Sequence, residues 1–176
     1  MISKINRFIE ILNQNGVRSS ISETVSYLRG SLFKLNSALL SQPVIFRDDW
    51  DILIILDACR SDTMKQVSAD YEWISEVGTR YSVGPDSPTW MDRTFTMTDD
   101  SELSETAYVT ANPYSDYHVP QDRLARLEEV WKYAWDDKIG TVPPRPVTDA
   151  GINIAQQDYS RVIIHYMQPH FPSIPT

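Results

Sequence analysis

The stretch 51-DILIILDACRSD-62 runs through five consecutive apolar residues and stops on an acid, with a cysteine, an arginine and a second acid close behind. A run that short and that apolar reads as a strand covered on both faces, as in the middle of a parallel sheet. In open α/β sheets, ligands sit beyond the carboxyl ends of the strands. Asp57, directly after the run, therefore stands where a metal or substrate ligand is expected. An Asp capping the following helix suits the same spacing equally well.

The rest of the chain supplies similar units. The segment 61-SDTMKQVSADYEW-73 reads as a helix with Ser61 or Asp62 near its start, and Thr79 to Val83 as a short extended piece. In 84-GPDSPTWMDRTF-95, Gly84 and the prolines mark a turn, and the residues from Pro88 onward open a helix. A second buried strand is expected in 106-TAYVTANPYS-115, and an amphipathic helix rich in Trp and Tyr over 121–135. Then 141-TVPPRPVTD-149 reads as loop, with Thr148-Asp149 leading into a helix that ends near Gln157. A third strand begins 161-RVIIHYMQPHFPSIPT-176 and runs into a proline-rich loop. Strand–helix alternation with long crossovers predicts a parallel α/β sheet with flanking helices. Three expected strands are few for such a sheet, so it reads as incomplete at the C-terminus.

Ahead of that domain, residues 1–42 place Ile5, Phe8, Ile9 and Leu12, then Val25, Leu28, Leu32, Leu35 and Leu39, at helical spacing. They predict two amphipathic helices separated near Gly16, packed on the domain or on a partner. The α/β domain is expected over 43–176.

Composition narrows the function classes. Sixteen Lys plus Arg against 24 Asp plus Glu give a net charge of −8. That disfavours nucleic acid as a partner, because phosphate affinity comes mainly from basic side chains. The single cysteine rules out an internal disulfide framework. No segment has the length of a membrane span. The opening MISKINRFIEILNQNG lacks the apolar block of a signal peptide, so a cytoplasmic location is expected.

Polar groups gather at the expected strand ends: Asp57 with Cys59, Arg60 and Asp62; Asn112 with Tyr114; His165 with His170. The turn carrying Asp86, Ser87 and Thr89 lies between the first two. In a parallel sheet all of these share one edge. A carboxylate, a hydroxyl at a helix start and imidazoles suit metal-assisted attack on a phosphate or sulfate ester.

The strings WDILIILDACRSD, SVGPDSPTWMDRTF and VIIHYMQPHFP resemble the sulfatase-like branch of the alkaline phosphatase superfamily, in particular the cytosolic sulfatase-like proteins of haloarchaea. The resemblance covers about residues 43–176 and implies an alkaline-phosphatase-like sheet. It implies a divalent metal on Asp57 and a nucleophile in the 84-GPDSPTW-90 turn, Ser87 first and Thr89 as the alternative. The family register for the nucleophile falls on Asp86, a departure from the pattern. His170 matches the histidine that contacts the ester oxygens, and Asn112 is a further candidate for the substrate. Arg60 holds a substrate oxyanion or, the preferred reading, braces Asp62. His165 lies on the strand itself, where a core hydrogen bond and a site role are both open. Cys59 reads as a buried structural thiol, since the C-x-P-x-R motif of true sulfatases is missing. His118 has no motif support. The metal is expected to be calcium, magnesium or manganese, or zinc if histidines contribute.

The superfamily completes its metal site with a later Asp-His-Gly or Asp-Asn-Gly segment, and the six residues after His170 contain neither. The chain is therefore expected to fall short of full activity alone, with a separately encoded C-terminal half or a second copy as partner. Three functions follow: a metal-dependent sulfate or phosphate ester hydrolase, a non-catalytic anion-binding or assembly module of the same fold, and a transferase moving a phosphoryl-linked group onto a glycan.

Overall fold

The computed structural model describes residues 45–172 and residue 174, all within one compact unit, Gln42–Thr176. The helices expected in residues 1–42 lie outside the described residues. Four strands, β1 (Ile52–Leu56), β2 (Thr106–Thr110), β3 (Arg126–Glu129) and β4 (Arg161–Tyr166), form one sheet in the order β1-β4-β2-β3, every neighbouring pair parallel. Helices flank it: α1 (Ser61–Ser68), α2 (Ser87–Thr96), α3 (Asp100–Leu103), α4 (Ser115–His118), α5 (Trp131–Ala134) and α6 (Pro144–Ala155). The α/β class read from the alternation of strands and helices is the class observed.

The sheet separates two apolar clusters. On one face, Met91 and Phe95 of α2 pack with Leu103, Tyr108 and Ile163, and Leu53 and Ile55 of β1 join them. On the other, Val147 and Ile154 of α6 cover Ala107, Val109, Val162 and Ile164. Every residue of β2 is buried, as is the middle of β4, because both strands have helices over both faces. Among the described residues no helix is long and apolar enough to cross a membrane.

Three expectations need correcting. β1 is an edge strand among the described residues, not a central one, and its second face is open, with Ile52 50% and Ile54 58% exposed. Its apolar run is consistent with burial, but which strand lies beside it is settled by long-range pairing. The helix expected over 121–135 is instead a 3-10 turn (Gln121–Arg123), then β3 and the short α5. Leu124, Leu127 and Val130 are three residues apart, which imitates one helical face. The backbone nevertheless pairs Arg126–Glu129 with Ala107–Thr110, and Val130 N–H donates to Thr110 O at 2.9 Å. Finally, α6 begins at Pro144, inside the stretch read as loop, because a proline is well suited to the first turn of a helix.

Candidate functional site

β4 lies between β1 and β2, and the chain continues upward on both sides of it. Asp57 N–H donates to Tyr166 O at 3.1 Å, and Ala111 N–H to His165 O at 2.9 Å. These bonds extend each ladder one step past the strand and bring Asp57 and Asn112 to the same sheet edge. Asn112 Nδ2 donates to Asp57 Oδ2 at 3.1 Å, while its Oδ1 accepts from Tyr114 N–H at 3.0 Å. Asn112 is buried, so both of its bonds hold the carboxylate in place; it is not among the residues lining the cavity.

The third member comes from the turn before α2. Gly84 is buried there, and a Cβ on it would lie 2.4 Å from Trp90 N and 2.7 Å from Thr89 C. Only a residue without a side chain lets the turn fold this tightly onto the helix start. Asp86 then caps α2, its side chain accepting from Thr89 N–H at 2.8 Å, and Pro88 follows in the first turn. Ser87 is left as the first helical residue, and its Oγ donates to Asp57 Oδ2 at 3.0 Å. Asp57 therefore accepts from a hydroxyl and an amide. It does not cap the next helix: the N-cap of α1 is Arg60, without a side-chain cap bond.

Next to Asp57 the backbone makes a tight reversal, with Ala58 in the left-handed region at φ 60 and Cys59 N–H bonded to Leu56 O at 3.0 Å. A non-glycine residue held there is strained, and such strain concentrates at functional sites. A cavity of about 920 Å³ opens over this point, bordered by Asp57, Ser87, Thr89, Tyr114, His165 and His170 among others. Among the described residues its lining includes two carboxylates, Asp57 and Asp86, and no Lys or Arg.

The other sequence candidates take distinct places. Thr89 borders the cavity, but Ser87 is the hydroxyl bonded to Asp57. Arg60 donates through Nε and Nη2 to the two carboxylate oxygens of Asp62 at 2.9 and 2.8 Å, and both side chains are exposed. His170 is exposed on the loop after β4, its ring bonded to Phe171 O at 2.6 Å. Cys59, expected as a buried thiol, is half-buried and borders the cavity, because the reversal at Ala58 turns it toward the site. His118 pairs with Asp92, away from the cavity lining.

His165 is 2% exposed, with Ile55 and Thr110 on either side of it in the sheet. Its Nδ1 lies 2.6 Å from the hydroxyl of Tyr108, a residue that motif reading passes over as core. Burial lowers the imidazole pKa to about 4, against the opposing charge of Asp57. The sign follows from linkage. An unfolded histidine protonates near its ordinary value of about 6.5. The folded one resists until about 4, so its contribution to stability is present above pH 6.5 and lost as pH falls toward 4. Urea titrations should show a loss of about 3 kcal/mol across that window. His165→Gln should remove that component of the pH dependence.

Among the described residues no group of three or more His, Cys, Asp or Glu is placed to hold a metal ion. The donors that converge are the Asp57 carboxylate and the Ser87 hydroxyl. That set fits a hard oxygen-loving cation of the magnesium type, which is commonly held by one or two carboxylates together with a phosphate and water. Comparison of the chain with protein-family models, with curated proteins and with solved structures gave no match.

Proposed function

We propose that the cavity is the site of a sulfatase-like hydrolase acting on sulfate or phosphate esters, within an alkaline-phosphatase-like sheet. The observation that carries this reading is the 3.0 Å bond from Ser87 Oγ to Asp57 Oδ2 at the carboxyl edge of a parallel sheet, beneath an open cavity. A serine at the start of a helix, with its proton directed at a fixed carboxylate, is a poised nucleophile. Ser87 Oγ bonds to the phosphorus or sulfur, its proton passes to Asp57, and the bond to the ester oxygen breaks; the alcohol leaves with a proton from water, and Asp57 returns its proton to solvent. Water then cleaves the Ser87 ester and releases the inorganic oxyanion.

Charge supports a cation in this reading. An anionic ester entering the cavity meets the Asp57 carboxylate, and the lining contributed by the described residues has no Lys or Arg to offset that repulsion. A divalent ion held by Asp57, Ser87, the ester oxygens and water would offset that repulsion and stabilise the attacking alkoxide. Asn112 holds Asp57 in register, and His170 is the loop imidazole best placed to meet an oxygen from above. A cytoplasmic location belongs to the same reading.

A second reading, an anion-binding or assembly module of the same fold, is favoured by the single carboxylate at the convergence of Ser87 and Asn112. Turnover of p-nitrophenyl phosphate and p-nitrophenyl sulfate with added Mg²⁺, Mn²⁺, Ca²⁺ or Zn²⁺ separates the two. The hydrolase reading expects metal-stimulated release of nitrophenol, reduced about a hundredfold in Asp57→Asn. Phosphate binding without any turnover would select the module.

A further inference from the structure

We propose that Tyr108 is a positioning residue that holds His165 in one neutral tautomer, with Nε2–H presented to the cavity as a fixed donor for a bound oxyanion. The donor role rests on the oxyanion reading of the site; the tautomer does not.

The geometry is directional. Tyr108 and Thr110 are fully buried, and His165 nearly so. Thr110 Oγ1 accepts from Asn112 N–H at 3.0 Å. Tyr108 Oη meets His165 Nδ1 at 2.6 Å. Tyr108 makes no other side-chain hydrogen bond among the described residues, so its hydroxyl proton is directed at Nδ1. An Nδ1–H donating the other way would leave the buried phenol proton without an acceptor among the described residues, which is the costly arrangement. Burial also holds the phenol pKa well above its ordinary value, so the tyrosine keeps its proton to donate.

An imidazole that accepts at Nδ1 carries its proton on Nε2 when neutral. Nε2 has no hydrogen-bond partner among the described residues, and the ring borders the cavity that contains Asp57 and Ser87. Trp90 fixes the ring plane edge-on, with centroids 5.9 Å apart. Among the described residues the cavity lining has no Lys or Arg, and a neutral N–H donor meets an anion oxygen there without adding charge of its own.

Nitrogen-15 spectra of the histidine-labelled chain read the tautomer directly, without any substrate. The expected wild-type pattern for His165 is a protonated Nε2 and a bare Nδ1. Tyr108→Phe, which removes one oxygen, should convert it to an exchanging mixture. If Tyr108→Phe fails to fold, the wild-type spectrum still tests the tautomer by itself. An Nδ1–H form in the wild type, or a tautomer unmoved by Tyr108→Phe, would overturn the proposal.

Calorimetric titration with inorganic phosphate and with vanadate reads the donor role. Tyr108→Phe should weaken binding about tenfold. His165→Gln, whose amide N–H can take the place of Nε2–H, should retain binding better than His165→Asn. Equal losses in the Gln and Asn variants would overturn the donor role. If the tautomer behaves as expected and neither anion binds, the oxyanion reading of the site falls while the Tyr108–His165 coupling stands.

Discussion

Ser87→Ala is expected to lower turnover of a phosphate or sulfate ester by about a thousandfold or more, the scale seen when a covalent nucleophile is removed. The fold should survive the change. Asp57 Oδ2 keeps its 3.1 Å bond from Asn112 Nδ2, so the carboxylate is not left without a donor. Loss of one hydroxyl bond at a half-buried position costs about 1 kcal/mol. Thermal melts close to wild type, together with lost turnover, would therefore locate the defect in the chemistry. Thr89→Val is the matched control, since that hydroxyl borders the same cavity. If Thr89→Val abolishes turnover and Ser87→Ala does not, the nucleophile is two residues further along the turn. Mass spectrometry of the enzyme quenched during turnover should find the phosphoryl or sulfuryl group on the peptide containing Ser87.

Gly84→Ala is expected to destabilise the chain by about 3 kcal/mol, at the upper end for overpacking. The added methyl would sit 2.4 Å from Trp90 N and 2.7 Å from Thr89 C and Trp90 Cα. All three are backbone atoms of the first turn of α2, so no rotamer change relieves the contact. Gly84 has an ordinary negative φ, which makes the penalty one of space and not of backbone conformation. The first turn of α2 would have to shift, carrying Ser87 away from Asp57, so oxyanion binding should weaken in whatever fraction remains folded. Gly78→Ala, where a Cβ meets nothing within 4 Å, should leave the urea midpoint unchanged or slightly raised. Equal midpoints for the two variants would reject the close-approach explanation.

Asp57 and Ser87 were legible because each is announced locally. One follows an apolar run that can only be a strand, and the other opens a helix behind a glycine–proline turn. The rule that ligands gather at the carboxyl ends of parallel strands then puts both on one edge. Asn112 was legible as a candidate but not as a brace. Its partner is 55 residues away and on the far side of β4, and no spacing in the chain encodes that neighbour. Arg60 and Asp62, two residues apart, could be paired from sequence because their contact is local. Tyr108 gave no signal at all: one aromatic in an apolar strand looks like core until His165 is seen beside it.

Local chemistry sufficed for whatever depends on a few consecutive residues: the apolar runs of β1, β2 and β4, the start of α1 at Ser61, and the turn and proline that open α2. Only the three-dimensional arrangement decided that β1 lies at the edge, that Arg126–Glu129 is a strand despite its helical spacing, and that Tyr108 meets His165. Backbone propensity acts over one or two turns of chain. Strand order and buried hydrogen-bond partners depend on which distant segments pack together, and that is chosen by the free energy of the whole domain.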